Sequence, residues 1–255
     1  MGAAGSVVTS SRIPGEYMPK SVAILVIGSL FWSEKDHRRA WRQDRLAVDD
    51  KTRVRVPIRY GKKSKKSGYT MVFSSGLLTE QFGRALAVPC RADVDTFAQL
   101  IEEAEALWAA EQPNKSEPCK LAASWGAVGL LDNPNRTGLD PLIVRWSARV
   151  AAEHDIYKQF PHGDGEVPAV TPGGLLSIPW PVTESGESLD VDFVLATPTE
   201  PTVPNGTYAT PQEIAAAYRG AKKGRRYFDE TRRVGISTAF DRDILQCLES
   251  EQPER

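Results

Sequence analysis

The strongest constraint on the fold is an uninterrupted apolar run at residues 22–27 (Val-Ala-Ile-Leu-Val-Ile), which stops abruptly at Gly28-Ser29. Such a run is typical of a strand buried on both faces, because a half-exposed strand would alternate apolar and polar residues. The run is also far shorter than the roughly 20 apolar residues that a membrane-spanning helix needs. We therefore predict a central strand of a sheet and no membrane partner.

Further strands are indicated by period-two patterns. Residues 53–60 alternate basic and apolar side chains, and residues 69–73 form a second β-favouring run, so we predict a hairpin with its loop at residues 61–68. Residues 84–89, 125–131 and 190–197 are the other strand candidates.

Helical spacing marks three other segments. Apolar residues recur every three or four positions from about 94 to 111, which predicts an amphipathic helix. Thr210-Pro211, with Glu three residues after the cap, predicts a helix that stops near Gly224. A last helix is predicted at about 239–248, whereas residues 141–150 fit a strand or a helix equally well. Strands and helices together predict an α+β fold.

Composition limits the domain count and the function classes. The 255 residues, 41% of them hydrophobic, suit one sizeable domain, which we place at residues 21–250 after a disordered N-terminal tail at residues 1–20. The 32 basic and 33 acidic residues give a net charge of −1, which excludes a global attraction to nucleic acid. Three cysteines without a Cys-x-x-Cys pair, and three scattered histidines, predict reduced thiols, a cytoplasmic location, no metal and no cofactor.

A family resemblance is carried by residues 24–32 (Ile-Leu-Val-Ile-Gly-Ser-Leu-Phe-Trp). This segment resembles the first strand and turn of gamma-glutamylcyclotransferase-like proteins, in particular a bacterial branch with Gly-Ser-Leu-x-Trp after that strand. The similarity continues through the strands at 57–59, 69–73 and 85–89 and the helix ending at Glu111, and more weakly through the C-terminal helices. It implies one domain with a C-terminal helical extension, built on a small mixed, mainly antiparallel β-barrel or curled sheet flanked by helices.

The resemblance also implies an active site. In that family the amides of the Gly-Ser-Leu turn hold a substrate carboxylate, and a carboxylate at the helix end is the general acid/base, which falls on Glu111 here. The enzyme would convert a small gamma-glutamyl amide to 5-oxoproline without a cofactor. Ile27 stands where the family usually has Tyr, which removes a hydroxyl from the pocket. The implied substrate-binding residues are Gly28, Ser29, Leu30, Trp32, Arg59 and Tyr69.

Two basic clusters leave a second function open. Their members are Lys62, Lys63, Lys65 and Lys66 in the hairpin loop, and Lys222, Lys223, Arg225 and Arg226 at a helix end. Together with the arginines of the predicted hairpin, they could grip phosphate on one face, so that the same carboxylate would act on a nucleotide or nucleic acid, for example as a DNA glycosylase-like enzyme cleaving an N-glycosidic bond. A non-catalytic ligand-binding module is the third possibility. Each feature also has a plain structural reading: solvated surface for the basic clusters and Glu111, and a strand-ending turn for Gly28-Ser29.

Overall fold

The computed structural model describes residues 19–64, 66–112, 121–136, 141–153, 157, 161–221 and 224–250. Residues 1–18 of the predicted tail, and Lys65, Lys222 and Lys223 of the basic clusters, lie outside these ranges. The strands are β1 (Val22–Val26), β2 (Thr52–Val56), β3 (Ile58–Ser64), β4 (Gly68–Phe73), β5 (Gly83–Pro89), β6 (Ala122–Ala123), β7 (Gly126–Ala127), β8 (Gly129–Asp132), β9 (Val182–Thr183) and β10 (Phe193–Ala196). The helices are α1 (Asp36–Arg45), α2 (Phe97–Glu111), α3 (Pro141–Glu153), α4 (Pro211–Gly220), α5 (Gly224–Arg233) and α6 (Asp241–Ser250).

Six of the strands form a curled mixed sheet in the order β8-β10-β1-β5-β2-β9. The β1–β10 pair is parallel, and the other pairs are antiparallel. All five residues of β1 are buried, as expected for a central strand covered on both faces. Two small antiparallel sheets, β3–β4 and β6–β7, complete the strands of the described residues. The predicted α+β class, with a curled and mainly antiparallel sheet, is therefore confirmed.

The predicted hairpin needs correction at Pro57. The segment 53–60 is not one strand: β2 ends at Val56 and pairs with β5 and β9, whereas β3 begins at Ile58 and pairs with β4. Proline has no backbone N–H to donate to a ladder, so a change of sheet at this residue costs no hydrogen bond. The hairpin is consequently β3–β4, and it reaches Ser64↔Gly68 rather than leaving residues 61–68 as a loop.

The helices follow local capping signals. Helix α2 begins at Phe97, three residues later than predicted, because Thr96 and Gln99 form a capping box that fixes its start. Helix α4 has the predicted Thr210 cap, and residues 141–153 are a helix. Gly224 does not end α4; it opens α5, and a β-carbon there would lie 2.7 Å from the Tyr218 carbonyl oxygen. That close approach between two helices requires glycine.

Helix α1 has no counterpart among the predictions. Seven of its ten residues are charged or His, yet Arg38, Trp41 and Arg42 form a buried face. Within the described ranges, no helix combines the length and apolar character needed to cross a bilayer.

Candidate functional site

A cavity of about 380 Å³ opens where β1 ends. The chain leaves the central strand at Ile27 and turns through Gly28, Ser29 and Leu30, all of which line the cavity. The other described lining residues come from β1, β3, β4, the end of α2, the loops after β6 and β10, and α5. They are Leu25, Val26, Lys62, Lys63, Ser64, Thr70, Met71, Glu111, Trp125, Thr197, Thr199 and Tyr227. The turn and the candidate acid/base therefore share one cavity.

The turn has backbone N–H groups that make no hydrogen bond within the described residues. Among the described residues, the amides of Gly28, Ser29 and Leu30 donate no hydrogen bond, whereas the turn's carbonyls accept from Phe31 and Ser33. Unpaired amides at a cavity wall form a nest for a carboxylate or another anion. This is the arrangement that the predicted anion site requires.

Glu111 is the last residue of α2, and its side chain is 19% exposed. It follows the buried stripe that contains Leu107 and Trp108, at spacings of four and three residues, so the stripe turns the carboxylate inward. Burial raises the pKa of Glu111, and the positive charges of Arg38 and Lys35 only partly oppose that rise.

Arg38 connects the turn to the carboxylate. Its Nη1 donates to Ser29 Oγ at 2.7 Å, its Nη2 donates to Glu111 Oε2 at 2.7 Å, and its Nε donates to the Ala110 carbonyl at 3.1 Å. One buried guanidinium thus spans the distance between Ser29 and Glu111. Sequence reasoning did not single out this residue, because a highly charged segment is typical of solvent-exposed surface.

A second arginine of α1 fixes the shape of the turn. Arg42 Nη1 donates to the Leu30 carbonyl at 2.6 Å and to the Ser33 carbonyl at 3.0 Å. Arg38, Trp41 and Arg42 are spaced three and one apart, which places them on one helix face. That spacing is the one signal in the sequence that could have pointed to both arginines.

Tyr227, from α5, brings a phenol hydroxyl to the same cavity. The hydroxyl accepts a hydrogen bond from the Met71 amide at 3.3 Å and would lie 2.6 Å from a β-carbon at Gly28. Burial raises the pKa of Tyr227 to about 12, so the phenol is neutral at neutral pH. The cavity therefore contains a phenol although Ile27 replaces the tyrosine that the resemblance would place before the turn.

The other predicted substrate contacts are dispersed. Trp32 donates from Nε1 to Thr231 Oγ1 at 3.1 Å and lines a neighbouring cavity rather than the first one. Arg59 lies over the rings of Tyr208 and Phe240, with its guanidinium carbon 4.0 and 5.1 Å from the ring centroids.

Tyr69 is buried in β4, and its carbonyl accepts from Tyr218 Oη at 2.7 Å. Arg59 and Tyr69 are not among the described residues that line either cavity. The structure therefore does not bring these two residues together with Glu111.

The neighbouring cavity, of about 600 Å³, adjoins the first and shares Ser29, Thr70 and Tyr227 with it. Its other described lining residues come from α1 and the segment before it, the β3–β4 turn and α5: Trp32, Ser33, Glu34, Lys35, Arg38, Lys66, Ser67 and Arg226. We refer to it as the second cavity.

The basic clusters divide between these two cavities. Lys62 and Lys63 line the first cavity, where Lys62 pairs with Glu200 at 3.2 Å. Lys66 and Arg226 line the second cavity. Arg225 pairs with Asp229 of its own helix at 3.4 Å and lines neither.

The hairpin arginines do not join these basic residues. Arg55 donates to the Thr79 carbonyl at 2.6 Å, and Arg53 lies against Gly235. The cations of the predicted phosphate-binding face are therefore only partly brought together.

Metal-binding side chains do not cluster in the part of the chain that the structure describes: no three His, Cys, Asp or Glu residues there could hold an ion together.

Comparisons with known proteins give no family assignment. No protein-family model matches the chain, and no curated protein or solved structure is significantly similar to it.

Proposed function

We propose that this protein is a gamma-glutamylcyclotransferase-like enzyme that acts on a small gamma-glutamyl amide without a cofactor. The observation that carries the proposal is the single cavity in which the free amides of the Gly28 turn, the inward Glu111 carboxylate and the Tyr227 phenol meet. An anion clamp beside a carboxylate of raised pKa is what intramolecular amide transfer by acid/base catalysis needs. The fold alone would not support this choice, because one fold serves many functions.

The substrate's α-carboxylate would bind to the amides of Gly28, Ser29 and Leu30. This places the neighbouring α-ammonium toward Glu111, whose ionised form accepts a proton from it. The freed amine attacks the side-chain carbonyl carbon, forming the C–N bond of the 5-oxoproline ring. Glu111 returns this proton to the leaving nitrogen as the original amide C–N bond breaks. It then accepts the second proton, which the attacking nitrogen loses as the ring amide forms, and passes it to the departing amine. The amine leaves as an ammonium, so no net proton is gained or lost.

Arg38 and Tyr227 complete the arrangement. Arg38 opposes the effect of burial on the Glu111 pKa, since a cation at 2.7 Å favours the carboxylate. The neutral Tyr227 phenol is a hydrogen-bond donor for the oxyanion that develops on the attacked carbonyl. The raised pKa of Glu111 also improves proton return to the leaving group, because general acid/base catalysis is most efficient when the pKa lies near the working pH.

The decisive experiment compares Glu111→Gln with Glu102→Gln, an exposed position on the same helix. Release of 5-oxoproline from a panel of gamma-glutamyl amides would be measured by chromatography, and substrate binding by calorimetry. Glu111→Gln should lose about 10²–10⁴-fold in turnover while still binding substrate, because Gln keeps the shape but cannot move a proton. Glu102→Gln should behave as the wild type.

Two results would reject the proposal. Full turnover in Glu111→Gln would remove the acid/base role. Binding of gamma-glutamyl amides without turnover by the wild type would instead favour the non-catalytic ligand-binding module.

A second candidate is an enzyme that acts on a nucleotide or nucleic acid, for example by cleaving an N-glycosidic bond with Glu111. The observation in its favour is that Lys66 and Arg226, both predicted phosphate contacts, line the second cavity beside Ser29. Binding to single-stranded DNA that weakens steeply with added salt would support it, because each neutralised phosphate releases counterions. Affinity that stays unchanged between low and moderate salt would reject it.

A further inference from the structure

The second cavity is strongly basic although the chain as a whole is not. Lys35, Arg38, Lys66 and Arg226 line it, and Glu34 is the one acidic residue among its described lining. The whole sequence has 32 basic and 33 acidic residues, so composition does not explain this local excess. A concave wall of one charge sign focuses the field and concentrates ligands of the opposite sign.

Most of the cations in this cavity form no ion pair with another described residue. Arg38 is committed to Glu111 and Ser29, and Glu34 faces Arg42 at 4.0 Å. Within the described residues, the side chains of Lys35, Lys66 and Arg226 form no ion pair. The three unpaired cations come from three separate elements, the start of α1, the β3–β4 turn and the first turn of α5.

Two of these cations also stand at unfavourable positions on their helices. Lys35 is the N-cap of α1 and makes no side-chain capping bond, and Arg226 lies in the first turn of α5. A helix N-terminus carries partial positive charge, so basic residues there destabilise the helix, whereas an anion would stabilise it. An anionic ligand between these two helix starts would relieve both conflicts together.

We propose that the second cavity is a subsite for a phosphate group carried by the leaving amine of the substrate. The inference rests on the proposed function, which it deepens by naming the substrate class: gamma-glutamyl amides of amino-phosphates. The scissile amide would lie in the first cavity, and the phosphate would extend past Ser29, Thr70 and Tyr227, which the two cavities share.

A phosphate monoester fits this wall better than a carboxylate does. It carries a charge of about −1.5 to −2 at pH 7 and three acceptor oxygens, against one charge and two oxygens for a carboxylate. The cavity offers three unpaired cations and the hydroxyls of Ser33, Ser67 and Thr70. An extended nucleic acid is disfavoured because a chain of net charge −1 gives no long-range attraction along a polymer.

The first test measures binding of inorganic phosphate to the full chain by ³¹P NMR titration at constant ionic strength. Phosphate should bind to the wild type, and Arg226→Ala or Lys66→Ala should weaken it about tenfold, the typical loss of one charge-assisted hydrogen bond. Arg225→Ala is the matched control, because Arg225 is the exposed neighbour on the same helix and lines neither cavity. Equal weakening by Arg225→Ala and Arg226→Ala, or no phosphate binding, would overturn the proposal.

Two competition arms identify the ligand class. Acetate at the same ionic strength should displace bound phosphate with at least about tenfold lower affinity, since it offers fewer charges and acceptors; acetate held by the Gly28 turn does not count in this displacement. A single-stranded oligonucleotide should not displace phosphate. Equal affinity for acetate would overturn the phosphate assignment, and displacement by the oligonucleotide would replace it with the nucleic-acid candidate.

A matched substrate pair links the subsite to catalysis. The gamma-glutamyl amides of 2-aminoethyl phosphate and of 2-aminoethanol differ only in the phosphate, and the first should have about a tenfold higher kcat/KM. Arg226→Ala should abolish that preference. Glu111→Gln should lose turnover of both amides and keep phosphate binding, so a failed cyclotransferase assay with intact, Arg226-dependent phosphate binding would reject the proposed function and leave the subsite standing. Equal kcat/KM for the two amides would reject the assignment of the subsite to the leaving amine.

Discussion

Arg38 and Glu111, 73 residues apart in the sequence, form an ion pair with 2.7 Å between Nη2 and Oε2, where the start of α1 meets the end of α2. The Arg38 side chain is 9% exposed and the Glu111 side chain 19%, so water screens the pair poorly. The pair therefore lowers the pKa of the candidate acid/base, against the larger rise that burial causes.

The pH dependence of activity should reveal the effect of Arg38 on the pKa of Glu111. The proton-accepting form of Glu111 is the carboxylate, and burial raises its pKa in the folded protein, so kcat/KM should fall as the pH drops through that raised pKa. Arg38→Gln removes the nearest cation, which should raise the pKa further and move the acidic limb of the pH–rate profile to higher pH. Arg39→Gln, at an exposed neighbour paired with Asp36, is the control and should leave the limb in place. A limb that stays fixed, or moves to lower pH, in Arg38→Gln would contradict the assignment.

Gly28 should not tolerate a side chain. A β-carbon there would lie 2.6 Å from the Tyr227 hydroxyl oxygen, and that ring is buried, so Gly28→Ala must displace it. We expect the free energy of unfolding to fall by about 1–3 kcal/mol and turnover to fall with it.

Urea denaturation would measure this stability change, and Gly220→Ala provides the comparison. Gly220 has no atom within 4 Å of the added β-carbon and no left-handed backbone, so its replacement should be neutral or should stabilise the protein slightly. A similar effect at both positions would show that contact with Tyr227 is not the cause.

Tyr227→Phe tests the contribution of the hydroxyl separately from that of the aromatic ring. The variant keeps the aromatic packing against Trp32, whose ring centroid lies 5.9 Å away, and loses only the hydroxyl. We expect kcat to fall about 10²–10³-fold, the usual effect of removing one oxyanion donor, while stability falls by about 1 kcal/mol because the Met71 amide loses its acceptor. Steady-state kinetics and thermal unfolding would be compared, and unchanged kcat in a folded variant would exclude the donor role.

Glu166 should matter for stability rather than for chemistry. It accepts from Ser74, from the amides of Gly76 and Gly163 at 3.2 Å, and from the Tyr208 hydroxyl at 2.8 Å, which ties the loop after residue 160 to the end of β4. Glu166→Ala should lower the free energy of unfolding by about 2–3 kcal/mol, since hydrogen bonds to a charged group contribute more than neutral ones.

Chemical denaturation with Glu80→Ala as the exposed control would test this. The control should stay within about 0.5 kcal/mol of the wild type. A stable Glu166→Ala variant would mean that the loop is held by its apolar contacts.

The parts of the fold that could be predicted are those encoded by neighbouring residues. The apolar run at 22–27 gave the buried strand and its turn, and the Thr210 pattern gave the start of α4, because burial on both faces and helix capping leave local signatures. Glu111 could be placed at a helix end because the stripe containing Leu107 and Trp108 continues to it.

The features that were not predicted depend on contacts between residues that are far apart in the sequence. Pro57 separates two sheets, and sequence reasoning joined them because the alternating pattern runs through it without a break. Arg38 lies in a segment whose composition is typical of the protein surface. It is buried because it hydrogen-bonds to Ser29 and to Glu111 at the end of α2. The approach of Tyr227 to Gly28 joins opposite ends of the chain, and no local pattern encodes such a contact.

The parallel pairing of β1 with β10 has a consequence for biosynthesis. Ser21 and Asp192, which hydrogen-bond to each other beside this pair, are 171 residues apart, so the ribosome must translate most of the chain before β1 meets its parallel neighbour β10. Until then the backbone groups along one edge of an entirely apolar strand have no partner strand. Such an unpaired edge favours aggregation and binding by chaperones. Since Tyr227 is made later still, a nascent chain would carry Ser29 and Glu111 before the phenol that shares their cavity had been synthesised.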